Sequence, residues 1–139
     1  MVILGLTGSI GMGKTVAAEH FRRLGVPVHD SDAAVHALLA PGGDAVDTVA
    51  REFPDTIRDG GIDRQAMAAK VFGDDAALKR LEAIVHPLVR RRTRRFLAIQ
   101  ARRRAALVVL DMPLLFESGG DRHCDAVVCV SAPAFVQRV

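Results

Sequence analysis

The segment Gly8-Ser-Ile-Gly-Met-Gly13-Lys14-Thr15 constrains this chain more than any other. It matches G-x-x-x-x-G-K-[ST], the pattern of a loop whose backbone cradles phosphate. Its flanks have the right character. Before it runs Val2-Ile-Leu-Gly-Leu6, an apolar stretch that reads as a buried parallel strand. After it a helical pattern extends from about Lys14 to Leu24, with Val16, Ala17, Phe21 and Leu24 on one face and Gly25 as its stop. Glycines at Gly8, Gly11 and Gly13 let the backbone curl so that its N–H groups converge as an anion nest. The helix that follows points its positive end at the same place. Lys14 then supplies a point charge for the β- and γ-phosphates, and the Thr15 hydroxyl can ligate Mg²⁺. The bland alternative is a Gly-rich strand-to-helix turn with no ligand.

Further strands alternate with helical segments. Val26-Pro-Val-His29 reads as a second strand, Leu107–Leu110 as a third buried strand and Ala126–Val130 as a fourth. Between the second and third lie helices at about 32–40, 44–53, 63–72 and 74–104, with an irregular stretch through Pro54, Gly60 and Gly61. Asp63 is placed to cap the third of these, and Asp74 and Asp75 open the fourth. Leu78, Leu81, Val85, Leu88 and Val89 give that last helix its apolar spacing, and Pro87 is expected to kink it or split it in two. The expected fold is α/β, a P-loop NTPase-like parallel sheet flanked by helices. We expect a single domain with its core at 1–32 and 105–139, and a helical insertion at about 33–104 between the second and third strands. Ser131-Ala-Pro133 reads as the start of one more helix, and the chain stops at Val139 barely into it, which suggests a shortened chain.

The composition narrows the function classes. Half of the 139 residues are hydrophobic and a quarter are charged, the balance of a globular protein. Neither a span of apolar residues long enough for a membrane helix nor a basic, signal-like start is present, so a soluble cytoplasmic protein is expected. The two cysteines, Cys124 and Cys129, form no Cys-x-x-Cys pair and read as small buried hydrophobes. Eight arginines (90, 91, 92, 94, 95, 102, 103 and 104) crowd a stretch without an acid. Subtracting them from the formal net charge of +3 leaves −5 for the rest of the chain. A solvated helix face is the favoured reading of that run, with a contact to phosphate groups of a ligand second. Nucleic acid comes last, since no recognised RNA or DNA module surrounds the run and Trp and Tyr are absent.

Chemistry beyond the phosphate cradle needs a group that handles the acceptor. Asp30 and Asp32 fall at the end of the second strand, and ligands of an open parallel sheet bind outside the carboxyl ends of its strands. A carboxylate there can orient an attacking hydroxyl or take its proton. Each could instead cap the next helix, so one can cap while the other reacts. Asp111 ends the third strand as an acid of the Walker B type does, and is a candidate for a magnesium or water contact. His86, ahead of Pro87, could bind an acceptor or tie up backbone groups at a helix break. His20, His29, His36 and His123 show no ligand spacing and read as structural or surface residues.

With these stretches in order along the chain, the sequence resembles the dephospho-CoA kinases. Gly8 to Thr15, Val28-His-Asp-Ser-Asp32, Val85-His-Pro-Leu88 and Asp111-Met-Pro-Leu-Leu-Phe-Glu117 carry the resemblance, and Leu24-Gly25 fits it too. The first is shared with many kinases, and the last two are far more particular. The resemblance implies transfer of the ATP γ-phosphoryl group to the ribose 3′-hydroxyl of dephospho-CoA, with Mg²⁺. It implies that Gly11, Met12, Gly13, Lys14, Thr15 and Val16 hold the ATP phosphates and that Asp32 is the base. It places His86, Pro87, Leu114 and Leu115 on the acceptor side, makes Glu117 an acceptor-site candidate, and matches Arg138 to an arginine at the start of a lid. It also implies further lid, helices and a last strand beyond Val139. Two alternatives stay open, a nucleotide-binding remnant without turnover and another small-molecule P-loop kinase. The residues do not speak to oligomeric state.

Overall fold

The computed structural model describes residues 1–8, 13–112 and 124–130. The expected helix start at Ser131–Pro133 lies outside them. In chain order the elements are β1 (Val2–Gly8), α1 (Lys14–Arg23), β2 (Val28–Asp30), α2 (Ser31–Leu39) and α3 (Val46–Glu52). There follow a 3-10 turn (Pro54–Thr56), β3 (Ile57–Arg58), β4 (Gly61–Ile62), α4 (Arg64–Val71), α5 (Asp75–Arg102), β5 (Leu107–Asp111) and β6 (Ala126–Val130). The chain divides into two compact units, 1–32 with 93–139, and 33–92. The division falls within α5, so the residues after Arg92 count with the sheet, whereas the sequence pattern places the end of the insertion at about residue 104.

The first unit is built on a four-stranded parallel sheet in the order β2-β5-β1-β6. Parallel neighbours need crossovers, which is why strands adjacent in space are distant in sequence. Val28, Val109 and Leu4 are register partners across β2, β5 and β1, and side chains alternate faces along a strand. That row therefore shares one face, and α1 covers it: Leu6, Ala18 and Val109 form the buried cluster, with Ala17, Phe21, Val26 and Val130 packed around it. On the opposite face His29 stacks on Phe96 of α5 at 5.1 Å between ring centroids, and its Nε2 meets the Thr93 hydroxyl at 3.1 Å. This fits the structural role expected of His29.

Three expectations need correction here. Val16 and Leu24 do not belong to the buried face of α1; they are 59% and 78% exposed, and the inward line is Ala17, Ala18 and Phe21. The strand β6 is not buried as a central strand would be. It is paired only to β1 among the described residues, and Ala126, Val128 and Cys129 face solvent. Cys129 is accordingly exposed and Cys124 only half-buried, so neither is the buried hydrophobe expected. Asp125 fastens the start of β6, since its Oδ2 accepts from the Ile3 N–H and its own N–H donates to the Ile3 carbonyl, both at 2.7 Å.

The second unit has its own core, centred on Leu38, Leu39, Val46, Val49, Phe53, Ile62, Met67 and Val85. The stretch read as irregular contains a hairpin. Asp59 and Gly60 both adopt positive φ, 52° and 81°, the turn that joins β3 to antiparallel β4. Gly61 in that hairpin is needed for space, because a Cβ there would come within 2.8 Å of the Pro41 ring. Asp63 caps α4 as expected, its Oδ1 accepting from the N–H groups of Gln65 and Ala66 at 3.0 and 3.3 Å. Replacing it by alanine should cost about 1 kcal/mol in urea unfolding. Asp74 caps α5 through Ala77 N–H at 3.0 Å.

Pro87 does not split α5, which runs unbroken through it. Pro87 and Ala83 both lie on the exposed side of the helix, away from buried Val85. The Ala83 carbonyl, deprived of its helical donor, can therefore turn to water. Among the described residues no helix is long and apolar enough to cross a membrane.

Candidate active site

The site lies at the carboxyl end of the sheet in the first unit. Period two along β5 and β2 puts Asp111 on the face of Val109 and Asp30 on the face of Val28. Asp111, Asp30 and Leu6 are themselves register partners. The face carrying those carboxylates is the one α1 covers. Lys14, at the start of α1, stands one turn ahead of inward-facing Ala17 and Ala18, so its side chain reaches the same row. The Lys14 Nζ donates to Asp111 Oδ1 at 2.5 Å, with only 16% and 8% of the two side chains exposed.

Around that pair stand groups suited to phosphate. Among the described residues α1 has no side-chain cap at Gly13 and no acid in its first turn, so its positive end suits an anion. Thr15 is exposed in the first turn. Val16, on the outer flank, lines a shallow depression with Thr15, Glu19, His20 and Arg23. Gly13 adopts φ 37°, and a Cβ there would meet the Val130 side chain at 2.6 Å. A Cβ on Gly8 would meet the Val130 carbonyl oxygen at 2.6 Å. Val130, at the end of β6, thus explains both glycines by close packing, a contact sequence reasoning missed. Gly8→Ala should lower stability by about 1–3 kcal/mol, read as a fall in the urea midpoint.

Asp30 and Asp32 separate in role. Asp30 Oδ1 accepts from the Asp32 N–H at 2.9 Å and so holds the start of α2. Asp32 lies exposed in the first turn of α2, and its carboxylate makes no hydrogen bond or ion pair among the described residues. His86 and Pro87 lie on the exposed side of α5, in the second unit, with no helix break for His86 to mend. Gly11, Met12, Leu114, Leu115, Glu117 and Arg138 lie outside the described residues. Of the eight clustered arginines, all but half-buried Arg92 are exposed, and none forms an ion pair among the described residues. That agrees with a solvated face.

A strand and a helix that opens on Lys-Thr, joined by the Gly-rich sequence Gly8–Gly13 at the carboxyl end of a parallel sheet, define a P-loop NTPase-like α/β protein. The dephospho-CoA kinase family model matches residues 2–139, and the chain belongs to that family. The dephospho-CoA kinase of Paramagnetospirillum magneticum is 66% identical over 137 residues, covering 99% of this chain and 65% of the relative. That of Rhodospirillum rubrum is 58% identical over 138 residues, covering 98% and 65%. Among solved structures the TT1252 protein of Thermus thermophilus superposes with a TM-score of 0.76 at 40% identity, covering 95% of this chain and 66% of that one. The chain spans 65% of the length of the two named kinases.

Proposed function

We propose that this chain transfers the γ-phosphoryl group of ATP to the ribose 3′-hydroxyl of dephospho-CoA, the last step in making coenzyme A. The observation that carries this is the Lys14–Asp111 pair, which joins the start of α1 to the end of β5, with Asp30 at the end of adjacent β2 holding the N–H of Asp32. The acceptor oxygen forms its bond to the γ-phosphorus while the bond to the β–γ bridging oxygen breaks. ADP leaves, and the hydroxyl proton passes to Asp32. Lys14 offsets the charge that develops on the phosphoryl oxygens and the leaving group. Asp30 positions Asp32 by holding the start of α2.

The donor set suits Mg²⁺. The Thr15 hydroxyl would ligate it and Asp111 would hold one of its waters, both being oxygen donors of the kind a hard cation takes. When bound, Mg²⁺ neutralises phosphate charge. Gly8, Gly11, Met12, Gly13 and Val16 are assigned to ATP, with Arg138 closing over it. His86, Pro87, Leu114, Leu115 and Glu117 are assigned to the acceptor. The same reading places the protein in the cytoplasm, where both substrates are met.

The test is incubation of the purified chain with ATP, Mg²⁺ and dephospho-CoA, with mass spectrometry of the acceptor. A gain of about 80 Da, one phosphoryl group in place of a proton, is the expected result. ADP binding without that gain would leave a nucleotide-binding protein and overturn the transferase assignment.

A further inference from the structure

The Lys14–Asp111 pair has a consequence for which nucleotide the site accepts. We propose that Asp111 is a specificity-determining residue that disfavours nucleotide diphosphates lacking a bound divalent cation. The proposal rests on the nucleotide reading above. The Lys14 ammonium is neutralised by Asp111 Oδ1 at 2.5 Å, with both side chains largely withdrawn from water. Charges in such surroundings interact more strongly than on an open surface, and a carboxylate that loses its partner there is costly.

A bare diphosphate must draw on Lys14, the one side-chain cation in the sequence Gly8–Thr15. To the extent that Lys14 turns to the phosphate, Asp111 loses its counterion, and it stands as a like charge beside the incoming oxygens. Among the described residues no other ion pair reaches Asp111 to take over. Asp30, its register partner on β2, is a second acid in the same row and offers no relief. A diphosphate that arrives with a divalent cation brings the missing positive charge with it. The pair therefore acts as a filter, with the penalty falling on the bare ligand alone. A nucleoside monophosphate lacks the β-phosphate that Lys14 serves, so it escapes the penalty.

The experiment is calorimetric titration of the chain and of Asp111→Asn with ADP, in EDTA and in Mg²⁺, with AMP in EDTA as a control. Asp111→Asn is expected to bind bare ADP about tenfold more tightly, a change of about 1.4 kcal/mol. Affinity for ADP in Mg²⁺ should not rise, and AMP should bind both proteins alike. The preference for the metal complex then shrinks at least tenfold, because Asp111 is also the residue assigned to a water of Mg²⁺. Unchanged or weaker binding of bare ADP by the folded variant overturns the proposal and leaves the nucleotide reading intact. Equal tightening for ADP and AMP also overturns it, because the effect would not run through Lys14. If neither protein binds ADP in either buffer, the nucleotide reading itself falls. Should circular dichroism show Asp111→Asn unfolded, Asp111→Ser, smaller and equally uncharged, carries the same expectations.

Discussion

Asp32→Asn is expected to lower kcat for phosphorylation of dephospho-CoA by about 10²–10⁴-fold, the usual worth of a positioned general base. ADP affinity should be unchanged. Asp32 stands in the first turn of α2 with its carboxylate unengaged among the described residues, so its replacement by an isosteric amide disturbs no packing. The amide cannot take the hydroxyl proton. It keeps the same backbone N–H for Asp30 to hold. Asp30→Ala works differently. It removes the tie at 2.9 Å to the Asp32 N–H, loosens the start of α2 and costs about 1 kcal/mol of stability. Its loss of turnover should be smaller than that of Asp32→Asn and should come with a lower urea midpoint. The pair of variants separates chemistry from positioning. Turnover unchanged in Asp32→Asn would remove Asp32 from the base role; a larger loss in Asp30→Ala would transfer that role to Asp30.

What sequence alone could reach was local. The strand before the loop, the helix after it, the Asp63 and Asp74 caps and the end of β5 at Asp111 are each decided by neighbours a few residues away. Capping is one of two uses the sequence leaves open for Asp30, and the hydrogen bond to the Asp32 N–H shows that the cap is made. The Lys14–Asp111 pair joins residues 97 positions apart and depends on the strand order β2-β5-β1-β6, which no periodicity encodes. The exposure of β6 and Cys129 has the same origin. An apolar run such as Ala126–Val130 looks alike whether it lies central or at an edge. The Asp59-Gly60 turn is a local signal, but the strands it joins are only two residues each, too short for alternation to mark them. Pro87 leaves α5 unsplit for a physical reason. Its rule counts the lost hydrogen bond but not the side of the helix on which the loss falls.

The two units should also answer differently to core truncation. Leu6→Ala is expected to cost about 2–5 kcal/mol and to weaken ADP binding together with it. Leu6 is fully buried in the cluster of the sheet unit, and its register partner on β5 is Asp111, the residue that holds Lys14. A cavity there lets β1 and β5 shift directly beneath the phosphate site. Phe53→Ala removes a larger side chain, 4% exposed, with Arg80 over its ring at 5.1 Å, and should cost about 3–5 kcal/mol. That ring belongs to the cluster built wholly from the 33–92 unit, which shares no residue with the cluster around Leu6. Its loss should leave ADP affinity unchanged at temperatures where the protein is folded. Urea unfolding followed by far-ultraviolet circular dichroism gives the stabilities, and calorimetric titration gives the affinities. If Phe53→Ala weakens ADP binding as much as Leu6→Ala does, the two cores are energetically one, and the nucleotide site cannot be understood from the sheet unit alone.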